Sequence, residues 1–187
     1  MKKHLLFLSL AMIIGLSGCG NKTPNEKNAD GNNEPEQEDM EMEMNHSGSG
    51  EVPATLKVAE NPTYEVGSEA IIETDHMKGM KGAVATIVGA YDTTAYTISY
   101  TPVTGGERVE NHKWVIQEEI KDANDKMFGP GNEVTVEADH MKGMKGAVAE
   151  IDSAEKTTVY MIDYTPTTGG EEVTNHKWVT EEELSAK

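Results

Sequence analysis

Three regimes of hydrophobic patterning succeed one another along the chain. Leu5 to Leu16 is an apolar run of about a dozen residues behind the basic start Met1-Lys2-Lys3-His4. From Gly20 to about Glu60 the chain is rich in Asn, Glu, Gly and Pro and nearly devoid of branched apolar residues. Beyond that point apolar and polar residues alternate in short stretches. Glu133-Val-Thr-Val-Glu-Ala138 and Ala95-Tyr-Thr-Ile-Ser-Tyr100 both have period two, which predicts half-buried strands. Gly105-Gly106 sits where a hairpin turns, between the second of these strands and Arg108 to Val115. Gly79 and Gly82 break the intervening segment and argue against a helix there. Glu118-Glu119 and Glu181 to Leu184 suit short terminal helical turns.

The patterned part repeats itself at an offset of 64. Asp75 to Ala85, DHMKGMKGAVA, returns unchanged as Asp139 to Ala149. Thr93-Thr94, Tyr96 and Tyr100-Thr101-Pro102 return as Thr157-Thr158, Tyr160 and Tyr164-Thr165-Pro166, and Asn111-His112-Lys113-Trp114-Val115 returns as Asn175 to Val179. About two-thirds of positions agree between Gly67–Glu119 and Gly131–Glu183 without a gap. This is a tandem duplication of a unit of about 60 residues. Some five short strands per unit predict an all-β fold: two tandem small SH3-like β-barrel domains after a disordered tether. The expected boundaries are 61–123 and 124–187, with the tether over 19–60 and a signal peptide over 1–18. Units this small bury little surface and are marginal alone, so a ligand that binds only the folded form would stabilise them.

The apolar run at the start is too short for a permanent bilayer span, which needs roughly 20 residues, and reads as a secretory signal. It ends in Leu16-Ser17-Gly18-Cys19, which resembles the lipobox of bacterial lipoproteins at every position. That resemblance implies cleavage before Cys19, a diacylglyceryl anchor on its sulfur, and a protein held on the extracytoplasmic face of the cell membrane. The shortened chain would carry 14 basic and 33 acidic groups, a net −19. Such a charge leaves no electrostatic footprint for nucleic acid. With its one cysteine lipidated, the exported chain has neither a disulfide framework nor a thiolate metal site. No nucleophile elbow or phosphate-binding glycine loop is present, and no enzyme is expected.

The remaining soft chemistry belongs to methionine and histidine. His76-Met77-x-x-Met80 and His140-Met141-x-x-Met144 each place an imidazole and two thioethers on one glycine-containing loop. His112 with Trp114, and His176 with Trp178, add an imidazole and an indole per unit. Thioethers select Cu(I) over hard cations, and imidazole suits copper too. Each feature also has a plainer role: Met77 and Met80 as core filler, His112 and His176 as hydrogen-bonded structural histidines, and Trp114 and Trp178 as core rather than caps on a bound cation. Within the tether, Met40, Met42, Met44 and His46 resemble the Met-x-Met repeats of exported copper-handling proteins. Glu41 and Glu43 between them would attract cations. The donor set of His, two Met and Trp is similar to that of small periplasmic β-barrel copper chaperones, with different spacing.

The HMKGMKGA block, the TTxYxIxYTP segment and the NHKWV ending resemble the YdhK family of Gram-positive lipoproteins, over nearly all of Asn61 to the C-terminus. That family carries this unit in tandem, and some members are surface copper-binding proteins. The resemblance implies metal ligation by His76, Met77, Met80 and His112 in the first unit and by His140, Met141, Met144 and His176 in the second. It leads to the expectation of a lipid-anchored protein that sequesters copper, with Cu(I) favoured, and contributes to copper resistance; a chaperone that hands copper to an exporter through the same ligands is a separate expectation. The acidic surface, tandem units and long tether fit a rival expectation equally: a pair of interaction modules docking on cell wall or a partner protein without metal. Whether a site would lie within a unit or between units stays open at this level.

Overall fold

A computed structural model describes residues 47–187. The signal segment, Cys19, and Met40, Met42, Met44 and His46 lie outside the described residues.

Alternating apolar positions form strands where expected, but two of them are far longer than the pattern suggests. In chain order the strands are β1 (Lys57–Val58), β2 (Glu69–Ile72), β3 (Val84–Tyr100), β4 (Val109–Ile116), β5 (Glu133–Thr135), β6 (Val148–Tyr164), β7 (Val173–Thr180) and β8 (Leu184–Ala186). Single 3₁₀ turns, Gln117–Glu119 and Glu181–Glu183, follow β4 and β7. Among the described residues the chain is all-β in two tandem repeats, and the strands join one eight-stranded sheet. β3 and β6, at 17 residues each, are about three times the usual strand length.

These two strands run antiparallel along their whole length, from Ala85 opposite Tyr164 to Tyr100 opposite Ala149. Their pairing crosses the repeats and carries two bulges, at Val88 and at its counterpart Asp152. An extra residue shifts the period-two alternation by one position. Each long strand contributes apolar side chains to one core along its first half and to another along its second.

The cores consequently do not follow the repeats. One contains Ala70, Ile72, Met80, Ala85 and Ile87 of the first repeat with Tyr160, Ile162, Tyr164, Val179 and Leu184 of the second. The other contains Tyr96, Ile98, Tyr100, Val115 and Ile120 of the first repeat with Val134, Val136, Met144, Ala149 and Ile151 of the second. The exchange is reciprocal at the ends too. β8 pairs with β2, Leu184 opposite Ile72, and Ile120 bridges to Val136. A third cluster sits between the two, around Trp114, Trp178, Ile116, Val159 and Met161.

The repeated glycine loops are docked across the same exchange. Thr167 N donates to Gly79 O at 2.8 Å, and Val103 N to Gly143 O at 2.9 Å. Gly79 and Gly143 both have φ +80, and a Cβ on either would lie 2.5 Å from a threonine hydroxyl, Thr168 or Thr104. Only glycine satisfies both demands. This settles why these motifs turn where they do.

Candidate metal cleft

Each HMKGM loop closes a turn in which Met80 N donates to Met77 O and Met144 N to Met141 O, both at 3.1 Å. The two methionines of a loop both pack against the same core but differ in burial, and only the first of each pair also lines the cleft. Met77 and Met141 are half-buried and line a cleft of about 1160 Å³. Met80 and Met144 are fully buried, one in each core. The i, i+3 pair expected to ligate together is thus split: the structure places Met80 and Met144 in the packing, away from the cleft. A flexible, unbranched side chain suits that filling role.

The second pair of imidazoles comes from β4 and β7. Asn111 and Asn175 adopt left-handed φ of 52, which asparagine tolerates better than most residues. Register shifts flank His112 on β4 and His176 on β7. These kinks help to bring His112 and His176 to the cleft already lined by His76 and His140. All four predicted histidines outside the tether and signal therefore share one cleft, drawn from both repeats.

The His112 and His140 ring centres are 6.4 Å apart, with planes tilted by 42°. Two imidazoles that share a metal through facing nitrogens, at about 2 Å each, have centres about 6 Å apart. His140 Nε2–H donates to Glu119 Oε1 at 2.8 Å. In the neutral ring this leaves the lone pair on Nδ1. Among the described residues His140 Nδ1, its counterpart His76 Nδ1, and His112 Nε2 are buried with no hydrogen-bond partner. Burial, then the nearby His140 and His76, push the His112 imidazole down to about 4, so it is a neutral donor at physiological pH. Among the described residues no three His, Asp or Glu side chains form a metal-holding group. The cleft offers four imidazoles and the two thioethers of Met77 and Met141, a lining that suits a soft ion rather than a hard cation.

Glu119 and Glu183 are the residues that the acidic background hid in the sequence. Glu183 Oε1 accepts from His76 Nε2 at 2.7 Å and Oε2 from Trp114 Nε1 at 2.7 Å. Glu119 repeats the arrangement with His140 and with Trp178 Nε1 at 3.2 Å. Each also accepts from the backbone N–H that opens its own 3₁₀ turn, at Ile116 or Thr180. Burial raises the Glu183 carboxyl, but the His76 bond and charge, with the Trp114 and Thr180 donors, overcome it and hold it down at about 2. One signal was available: both glutamates recur at the offset of 64, in the turns that end the repeats.

The indoles are buried, and a lysine ammonium already approaches each ring: Lys113 Nζ lies 4.8 Å from the Trp114 centroid and Lys177 Nζ 5.8 Å from that of Trp178. They pack the central cluster rather than stand over the cleft. Nor is the cleft the focus of the acidic excess, since six acidic side chains and five lysines line it.

The fold and cleft define a class: an all-β protein whose two repeats exchange strands and share one histidine-lined cleft. The family model described as "Protein of unknown function (DUF1541)" matches residues 66–117 and 130–181, and the chain belongs to that family. It is similar to the "Uncharacterized protein YdhK" of Bacillus subtilis (strain 168), 61% identical over 186 residues that cover 100% of this chain and 90% of the relative. A crystal structure of the DUF1541 family protein YdhK from Bacillus subtilis is 72% identical with a TM-score of 0.75, and the match covers 78% of this chain and 99% of that one. A solution NMR structure of the YdhK C-terminal domain from the same species is 75% identical, with a TM-score of 0.63. That match covers 66% of this chain and 93% of the other.

Proposed function

We propose that this protein binds copper, chiefly as Cu(I), outside the cell membrane and sequesters it without catalysing a reaction on it. The observation that carries the reading is the His112–His140 pair. Its ring separation suits a shared metal, His112 Nε2 and His140 Nδ1 lack hydrogen-bond partners among the described residues, and a carboxylate fixes Nε2 of His140. Such a carboxylate–imidazole pair orients a ligand and raises its basicity. Met141 adds a soft donor from the same loop, and His76, Met77 and His176 are their counterparts at the offset of 64 and line the same cleft.

The lipobox at Cys19 supports a lipid-anchored protein on the extracytoplasmic face, and Met40, Met42, Met44 and His46 would offer an additional capture site on the tether. Cargo held this way protects the cell by lowering free copper and is available for delivery to an exporter. The test is a Cu(I) titration of the purified protein against a competing chelator. His112→Ala with His140→Ala should weaken binding at least about tenfold, which is 1.4 kcal/mol. No binding, or affinity unchanged by that pair of substitutions, would sink the assignment.

A further inference from the structure

The two half-sites have nearly the same sequence but not the same surroundings. β4 reads VENHKWVI and β7 reads VTNHKWVT. On β4, Glu110, Asn111 and Lys113 are exposed and His112 is half-buried. On β7 the equivalent Thr174, Asn175 and Lys177 are half-buried and His176 is buried. The difference has a visible cause in Ser47 to Glu51, which lies against β7. Gly48 N donates to Thr174 O at 2.8 Å, and Thr174 N donates to Ser47 Oγ at 3.0 Å. Asn175 Nδ2 reaches Gly48 O at 3.4 Å, and Lys177 Nζ donates to Glu51 O. Val52 and Leu56 then fasten the segment to the tryptophan cluster.

The second repeat cannot supply an equivalent strap. At the offset of 64, residues 47–58 correspond to 111–122, which are β4, its 3₁₀ turn and the residues just beyond. Among the described residues there is thus one such segment for two edges of nearly the same sequence.

We infer that Ser47–Glu51 is a strap that makes two chemically matched half-sites inequivalent: it covers the His76/His176 half and leaves the His112/His140 half as the open entry for a soft monovalent cation. The consequence for metal rests on the copper reading; the strap itself rests on contacts that need no metal. Closing over an edge through two to four hydrogen bonds, each of modest net strength, is enough to separate the two halves by about tenfold in apparent affinity.

Gly48 allows a clean test. A Cβ there would meet the backbone oxygen of Asn175 at 2.5 Å, so Gly48→Ala should lift the strap without touching either core. Amide exchange reads the strap with no metal present. In the wild-type protein the Thr174 amide should exchange at least about tenfold more slowly than that of Glu110, and Gly48→Ala should remove the difference. An Ag(I) titration followed by NMR of histidine rings and methionine methyls then reads the halves separately. His112, His140 and Met141 should respond first in the wild type, and both halves together in Gly48→Ala.

Equal exchange at Thr174 and Glu110 in the wild type would overturn the strap whatever the metal result. A freed Thr174 amide in Gly48→Ala with the order of filling unchanged, or simultaneous filling in the wild type, would overturn its control of access and leave the copper reading standing. Failure of both halves to take Ag(I) would overturn the copper reading, and with it the control of access, while the exchange data still decide the strap.

Discussion

Removing the Glu183 carboxylate should destabilise the protein far more than removing any neighbouring acidic group. Glu183→Ala deletes the acceptor for His76 Nε2, for Trp114 Nε1 and for the Thr180 backbone N–H. Trp114 is 5% exposed and Thr180 is 1% exposed, so water cannot readily replace the lost partner for those two donors. A buried donor left unpaired costs about 1–3 kcal/mol. Two of them, with the loosened His76, bring the loss to about 3–5 kcal/mol, a large part of the stability of an ordinary domain. With a urea slope of about 2 kcal/mol/M for a domain this size, the midpoint should fall by about 2 M. The Tm should drop by roughly 10 °C or more. Glu182→Ala is the control: that side chain is exposed, and its loss should stay within about 0.5 kcal/mol. Urea melts of the three proteins at neutral pH decide the matter. A loss below about 1 kcal/mol for Glu183→Ala would refute the reasoning that this carboxylate ties the loop histidine, the indole and the turn together.

Acid should weaken the metal-free protein in two steps. His112 titrates at about 4 in the fold against 6.5 in the free side chain, so the unfolded chain takes up its proton first and stability falls from pH 6.5 toward 4. Glu183 is held at about 2 against 4.5; its contribution is complete above 4.5 and is lost as pH falls toward 2. Each step is worth up to about 3 kcal/mol. Thermal melts across pH should show both, and Glu183→Gln should flatten only the lower one. Met80→Ala or Met144→Ala should each cost about 2–5 kcal/mol, as for other fully buried side chains, with little change in Cu(I) affinity for the folded protein. Met77→Ala or Met141→Ala should lower Cu(I) affinity with a smaller loss of stability, since each is only half-buried against its core. Paired urea and chelator titrations separate the two patterns, and a strong affinity loss from Met80→Ala with full stability would contradict the split of the loop.

Much of the candidate site was legible from residue types, because a duplicated loop keeps its donors in both copies. His76, Met77, His140 and Met141 could be singled out from spacing alone. Met80 and Met144 could not be told from ligands, since the turn that separates them depends on Gly79 and Gly143 meeting threonines of the other repeat. Glu119 and Glu183 were hidden for a related reason. Beyond its recurrence at the offset of 64, a carboxylate among 33 acidic groups is marked by what it touches, and its histidine and tryptophan partners lie 21 to 107 residues away.

By itself, then, the sequence determined the β character, the duplication at 64 residues, the turn glycines and the kinds of donor present, because these depend on local pattern and on side-chain chemistry. Only the tertiary structure decided which halves pack together. Two repeats that agree at about two-thirds of their positions have similar local preferences, so nothing in either copy says whether β2 meets its own repeat's end or the other's. Pairing β3 with β6 through the bulges at Val88 and Asp152 resolves that choice, building each core from both repeats and bringing His112 beside His140. The strap breaks the remaining symmetry for a simpler reason: one segment precedes the first repeat, and the short connection between repeats has no room for a second.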